Sequence, residues 1–270
     1  MSKKLKGIYS DMSNEDYHGN RTHHSSSVLK TALNNPQEFF RVYVQGCDPS
    51  KKMNEAALAI GNYCHIALLE PHLLETETAI YPGASRRGAA WELFRTENAD
   101  KTIITQTQLD LVNTMLEEFS KDMVDIGDGL VAADALFQEG FAEESLFTEL
   151  DGHNIKTRFD YRIEDIDGRG LIRDLKTTSR TANTPQEATD ICNMYGYFTS
   201  AALYVDAAEK EFGKPYDFHL VFVSKKDLKT NVYKVSEKSL EIGRKMYKRA
   251  IKMIKLWEKT GNYTSGLREI

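Results

Sequence analysis

Cysteine is scarce in this chain: Cys47, Cys64 and Cys192 are the only three in 270 residues, and none stands in CxxC spacing. An odd, scattered set argues for reduced thiols and against a structural zinc or an iron–sulfur cluster. Long apolar runs are missing as well. No segment approaches the length of a membrane span, and the start, MSKKLKGIYSDMS, has no apolar stretch of the secretory kind, so an intracellular protein with no membrane partner is expected. There is no Pro/Ser-rich linker, internal repeat or low-complexity segment. A single domain over residues 1–270 is therefore expected, and with 41% hydrophobic residues it can bury a sizeable core.

Positive charge is also in short supply. Lysine and arginine number 35 against 40 aspartates and glutamates, and the net charge of −5 counts, as a total, against nucleic-acid binding. Distribution outranks the total, because acidic outer faces can coexist with a local basic track. Lys245, Lys248, Lys252 and Lys255 recur at helical spacing near the C-terminus, beside an apolar stripe of Tyr247, Ala250, Ile251 and Ile254. A solvated helix face explains that stripe as well as a phosphate track does. Arg86 and Arg87 follow the loop Pro82-Gly83-Ala84-Ser85 just before a helix, where guanidinium and backbone N–H groups together suit a terminal phosphate.

What the chain does have is an alternating stretch from Lys156 to Thr178. Phe159, Tyr161 and Ile163 are apolar at odd positions, and Leu171 and Leu175 keep that parity beyond a turn built from Asp165, Asp167, Gly168 and Gly170. A reversal centred near Asp167 sets Asp160 opposite Asp174 and Lys176 opposite Arg158. Facing carboxylates repel unless a cation lies between them, and hard oxygen ligands suggest magnesium or manganese. The competing reading is the solvated face of an edge hairpin. Against it, Asp174 and Lys176 sit inside a β-prone run, and the lysine two residues after a carboxylate shares its side of the strand.

Periodicity predicts helices at about 26–45, 53–70, 88–97 and 106–135, strands at about 138–149, 153–164 and 170–177, and helical stretches at about 185–212. Strands at 217–223 and 230–235 and a helix at about 238–260 follow. This is an α/β domain, one mixed sheet flanked by helices, with a helical N-terminal part over about 1–135 and a sheet core over about 138–235. His65 lies in an apolar run, where a buried, hydrogen-bonded histidine is commoner than a ligand. Only one of Glu143 and Glu144 can face a site on their strand, the other being expected in solvent. Tyr197, Ser200, Ala201 and Tyr204 share one helix face, which serves a core as readily as a substrate.

These residues resemble the PD-(D/E)xK nucleases, with Asp160 similar to the first motif aspartate and Asp174-Leu175-Lys176 to the second motif. The wider series resembles the RecE-like (exonuclease VIII) nuclease domain, related to RecB-type and lambda-type exonucleases, over roughly residues 8–210. It comprises Ser25-Ser26-Ser27-Val28-Leu29-Lys30 with Pro36, Gly61-Asn62-Tyr63-Cys64-His65 with Leu68-Leu69-Glu70-Pro71, Arg86-Arg87-Gly88 with Trp91, and Glu143-Glu144-Ser145-Leu146-Phe147. The resemblance implies a restriction-endonuclease-like fold and a metal held by His65, Asp160, Asp174 and the Leu175 carbonyl. Lys176 then orients the nucleophile, Glu143 rather than Glu144 supports the metal site, and Tyr197, Ser200 and Tyr204 border the substrate. Relatives commonly carry glutamine where this chain has Ser200. The implied activity is Mg-dependent 5′-to-3′ degradation of one strand from double-stranded DNA ends, leaving 3′ tails for a single-strand annealing protein. A homo-oligomeric ring, a phage or prophage origin and the cytoplasm of a bacterial host are implied with it. An endonuclease or helicase-associated nuclease of the same fold, or a catalytically idle DNA-binding protein, are the alternatives.

Overall fold

The computed structural model describes residues 5–49, 55–83, 85–127 and 129–264. Strand β1 (Gly7–Tyr9) is followed by helices α1 (Asn14–Gly19), α2 (Ser26–Asn34), α3 (Pro36–Phe39), α4 (Glu55–Leu69) and α5 (Leu74–Glu77). Next come β2 (Thr78–Tyr81), α6 (Ala89–Glu97), β3 (Thr102–Thr105), α7 (Gln106–Lys121), β4 (Met123–Asp125) and β5 (Leu130–Ala132). The second half runs β6 (Phe141–Leu150), β7 (His153–Ile166), β8 (Arg169–Thr178), α8 (Pro185–Tyr195), α9 (Tyr197–Phe212), β9 (Tyr216–Ser224), β10 (Thr230–Lys234) and α10 (Glu237–Thr260).

The expected α/β fold class holds, with one mixed sheet in the order β1-β6-β7-β8-β9-β10. All its pairs are antiparallel except β8–β9, which α8 and α9 connect. The N-terminal part is less purely helical than expected. Its β1 joins the central sheet, while β2 pairs with β3 and β4 with β5 in two small sheets. The helix expected over 106–135 ends at Lys121, and the chain turns back through Gly127 and Gly129, both at positive φ. That over 26–45 breaks at Asn35-Pro36: proline cannot donate within a helix, and Asn35 instead caps α3 through Glu38 N–H at 3.1 Å. Gly196, at φ 65, separates α8 from α9. Residues 53 and 54 of the helix expected over 53–70, and Ala84 of the loop before Arg86, lie outside the described residues.

Apolar side chains fill both faces of the sheet. On one, Phe159, Ile172, Phe218, Leu220 and Phe222 pack with residues of α2, α8, α9 and α10. On the other, Leu175, Val221 and Val223 pack with Ile60 and Cys64 of α4 and Val112, Met115 and Phe119 of α7. α10 crosses α9 at Gly243, where an added Cβ would lie 1.9 Å from the Phe198 carbonyl oxygen and 2.8 Å from Ala202 Cβ. Gly243→Ala is expected to cost about 1–3 kcal/mol through overpacking, read as a lower urea midpoint with an unchanged m-value.

Three histidines give stability a pH dependence. Burial lowers His24, His153 and His219 to about 4, with His153, Lys255 and Arg173 respectively adding to the effect. In the unfolded chain each titrates near 6.5, so the unfolded state binds more protons across the interval between those values. Their contribution is complete above pH 6.5 and is lost as pH falls toward 4, on the order of 1–3 kcal/mol for each buried ring. Urea midpoints measured between pH 7.5 and 4.5 should fall steadily, and His219→Gln should make the decline shallower.

Candidate functional site

The β7–β8 hairpin turns through Asp167 and Gly168, both at positive φ, and Asp165 Oδ1 accepts from Gly168 N–H at 2.7 Å. Its register, Arg162↔Ile172 and Tyr161↔Arg173, points Asp160 toward Asp174 as the spacing predicts, but the β7–β8 ladder stops at Tyr161↔Arg173. Beyond it, Leu175 N–H donates to Asp160 Oδ2 at 2.8 Å instead of to a β7 carbonyl. A carboxylate thus replaces a rung of the ladder.

Strand alternation also fails at this point. Phe159 belongs to the core beneath α9, whereas Tyr161 packs edge-on against Phe137 in the core beneath α7, so the two odd positions do not share a face as expected. Between the pairs Glu144↔Phe159 and Ala142↔Tyr161, no pairing joins Glu143 to Asp160, and Glu143 is held at φ 50. This irregularity lets both carboxylates turn toward α4. His65 Nδ1 lies 3.8 Å from Glu143 Oε1 and 3.8 Å from Asp160 Oδ2. One donor atom from each of His65, Glu143 and Asp160 falls within 4.8 Å of the others.

The opposite imidazole nitrogen, Nε2, donates to the Leu175 carbonyl at 2.9 Å. With that hydrogen committed, a neutral His65 presents the Nδ1 lone pair to two carboxylates, an arrangement that favours a cation among the three. Burial opposes charge on His65, but Asp160 and Glu143 outweigh it and raise its pKa above 6.5. A nitrogen and two carboxylate oxygens at this spacing fit a divalent metal.

Two of the expected ligands are engaged elsewhere. The Leu175 carbonyl accepts from both His65 Nε2 and Lys176 Nζ, the latter at 3.1 Å. Asp174 stands outside the three-residue cluster: its Oδ2 contacts Lys176 Nζ at 2.6 Å. Burial raises the Asp174 carboxyl to about 6, with Lys176 limiting the rise. For Lys176, burial opposes the charge and is outweighed by Asp160 and Asp174, so the ammonium is held well above its usual range. Its Nζ also reaches Asp160 Oδ2 at 3.4 Å and lies 5.7 Å from the centre of the Tyr197 ring.

These groups border a groove of about 1150 Å³, whose walls include His65, Glu143, Asp160, Lys176, Tyr197 and Tyr204. Ser200 lies behind that wall, accepting from Lys30 Nζ at 3.1 Å. Arg86 and Arg87 are not brought to the groove. Arg86 donates to the Ile103 carbonyl and to Gln108 Oε1 at 2.9 Å and lies over the Trp91 ring, so it ties α6 to β3 and α7, while Arg87 is exposed. Lys245, Lys248 and Lys252 are exposed on α10, and Lys255 donates to the Asp151 carbonyl at 2.6 Å. Glu144, expected in solvent, is buried and ion-paired with Arg162 at 2.7 Å.

Two neighbours of the site escaped the sequence reading although both fall within motifs quoted above. Glu70 lines the groove, its carboxyl raised first by burial and then by Glu143. Lys30 is lowered to about 8 by burial and by Lys176. Among the described residues, no helix is long and apolar enough to cross a membrane.

Residues 25–264 match a family described as a PDDEXK-like domain of unknown function (DUF3799). The solved structure of a candidate exonuclease from Eubacterium rectale is similar in fold, with a TM-score of 0.65 and 16% identity over 93% of this chain and 87% of that one. A second solved structure, SSO0001, aligns at 16% identity over 72% of this chain and 86% of that one, with a TM-score of 0.27. No curated protein matches the chain.

Proposed function

Because the chain belongs to this PDDEXK-like family, we propose that it is a metal-dependent DNA nuclease, an exonuclease acting on linear duplex ends. The observation that carries the reading is the convergence of His65 Nδ1, Glu143 and Asp160 within 4.8 Å, beside Lys176 in an open groove. His65, Glu143 and Asp160 would hold the cation, which supplies a water of lowered pKa and offsets phosphate charge.

The chain's own groups do the rest. Asp160 fixes the geometry, its Oδ2 meeting Leu175 N–H, Lys176 Nζ and the edge of His65. Asp174 anchors the Lys176 ammonium at 2.6 Å, keeping it charged and pointed along the groove. There Lys176 orients the attacking water or neutralises charge developing on the phosphate oxygens. Tyr197 and Tyr204 line the wall against which the strand lies.

The resemblance to RecE-like nucleases extends the proposal. Polarity is 5′-to-3′, the products carry 3′ single-stranded tails, and magnesium is the working ion, with manganese able to replace it. The protein acts as a homo-oligomeric ring in the cytoplasm of a bacterial host, phage- or prophage-encoded, alongside an annealing protein. One domain spanning residues 1–270 performs the chemistry.

The test is digestion of linear and covalently closed duplex DNA with magnesium, manganese or EDTA, using 5′-phosphorylated and 5′-hydroxyl ends. Expected is metal-dependent loss of the linear form, surviving 3′ tails and an intact circle. Cutting of the circle replaces the exonuclease reading with an endonuclease, and equal digestion in EDTA removes the metal.

A further inference from the structure

Immediately beyond Lys176 the groove wall carries an aromatic pair. Tyr195, the last residue of α8, is 52% exposed, and its ring stacks on Tyr197 at 5.5 Å between centroids and 23° between planes. The inner face of Tyr195 is therefore supported, while its outer surface meets solvent at the edge of the groove. An exposed ring so backed loses little conformational freedom when a flat ligand covers it.

Lys30 fixes this pair from behind. Its Nζ donates to the Tyr195 carbonyl at 3.3 Å and to Ser200 Oγ at 3.1 Å, and it lies 5.9 Å from the centre of the Tyr197 ring. The intervening Gly196 has positive φ, and a Cβ there would fall 2.9 Å from Lys30 Cδ, so glycine leaves room for the lysine stem. Lys30 and Lys176 thus approach one tyrosine ring, Lys176 at 5.7 Å. Lys176 has two carboxylate partners, Asp160 and Asp174. Lys30 forms no ion pair with a carboxylate among the described residues. A half-buried ammonium hydrogen-bonded only to neutral groups, its charge offset in part by the nearby Asp174, adds positive potential to this wall, which favours an anion nearby.

We propose that Tyr195, backed by Tyr197 and fixed by Lys30, is a subsite for one unpaired nucleotide of the DNA strand next to the scissile phosphate. The base covers the outer face of Tyr195, and the positive field of Lys30 favours the adjoining phosphate. Every base offers a π-face, so the subsite is indifferent to sequence but requires a base free of its duplex partner. A frayed or single-stranded end is the form it accepts.

This inference rests on the nuclease reading, and the experiment separates the two. Binding of fluorescent single-stranded DNA is measured in EDTA, with one abasic nucleotide walked along the strand. Tyr195→Ala should weaken binding by about 10–100-fold and Tyr195→Phe should retain it. The abasic strand should bind wild-type protein poorly at one position of the lesion, and Tyr195→Ala should not distinguish that position. Lys30→Gln, which removes a charge held behind the ring and not on a phosphate, should reduce the slope of log Kd against log salt by less than the roughly 0.7 of a direct phosphate contact. Wild-type affinity in Tyr195→Ala, or an abasic penalty that persists there, overturns the subsite even when wild-type protein cuts DNA and Lys176→Met does not. Absence of both DNA binding and cleavage in the wild-type protein overturns the subsite together with the nuclease reading.

Discussion

Lys176→Met is expected to slow hydrolysis of linear duplex DNA by about 10²–10³-fold while leaving the protein folded and able to bind DNA. Methionine keeps most of the side-chain volume, so the wall beside Tyr197 stays filled. The charge it removes is the one anchored at 2.6 Å by Asp174 and reaching Asp160 at 3.4 Å. Asp174 then loses its partner, but burial already raises its carboxyl to about 6, and without Lys176 that group takes up a proton instead of remaining a buried anion. The fold therefore tolerates a change that the chemistry does not. Single-turnover cleavage and fluorescence anisotropy on the same DNA provide the two readouts. Unchanged cleavage would falsify the assignment of this groove as the hydrolytic centre, and loss of binding in proportion to cleavage would make Lys176 a binding group only.

The hairpin that carries Asp160, Asp174 and Lys176 is legible in the sequence because its information is local. The turn at Asp167-Gly168 and period-two alternation on β8 place the two strands side by side, and a one-residue register shift between Ile163 and Ile166 brings Asp160 opposite Asp174 and not Leu175. The grouping of ligands is less legible, because it depends on where alternation fails. Glu143 at positive φ and the missing Glu143–Asp160 pairing turn those two carboxylates toward His65, and nothing in the order of residue types marks that irregularity. The same limit explains Asp174. Its place opposite Asp160 follows from register, but its attachment to Lys176 depends on α9 closing over that face and excluding water. Arg86 looked like a phosphate ligand because it precedes a helix in a glycine-containing loop. Trp91 lies five residues on, but the Ile103 carbonyl and Gln108 that hold the guanidinium come from β3 and α7, beyond the reach of a local pattern.

Glu144→Ala should be among the most destabilising single substitutions outside the apolar core, costing about 3–5 kcal/mol, because it strands a buried guanidinium. Arg162 Nε meets Glu144 Oε2 at 2.7 Å with both side chains at most 4% exposed, between the rings of Phe141 and Phe212. Burial works against the arginine charge, while Glu144 and the Tyr216 hydroxyl raise its pKa above the ordinary value, so it cannot escape by losing a proton. The exposed Glu164, 3.5 Å from Nη1, is too solvated to take over as counter-ion. Glu143→Ala makes the contrast, since its side chain is 20% exposed at the groove and makes no such buried pair. Chemical denaturation should separate the neighbours sharply, with Glu144→Ala losing stability and Glu143→Ala staying near wild type. Metal-dependent cleavage by the folded protein should fall in Glu143→Ala. Equal stability losses would mean that the Glu143 carboxylate is itself required by the fold and is not reserved for the groove. Full activity in Glu143→Ala would leave His65 and Asp160 to hold the ion without it.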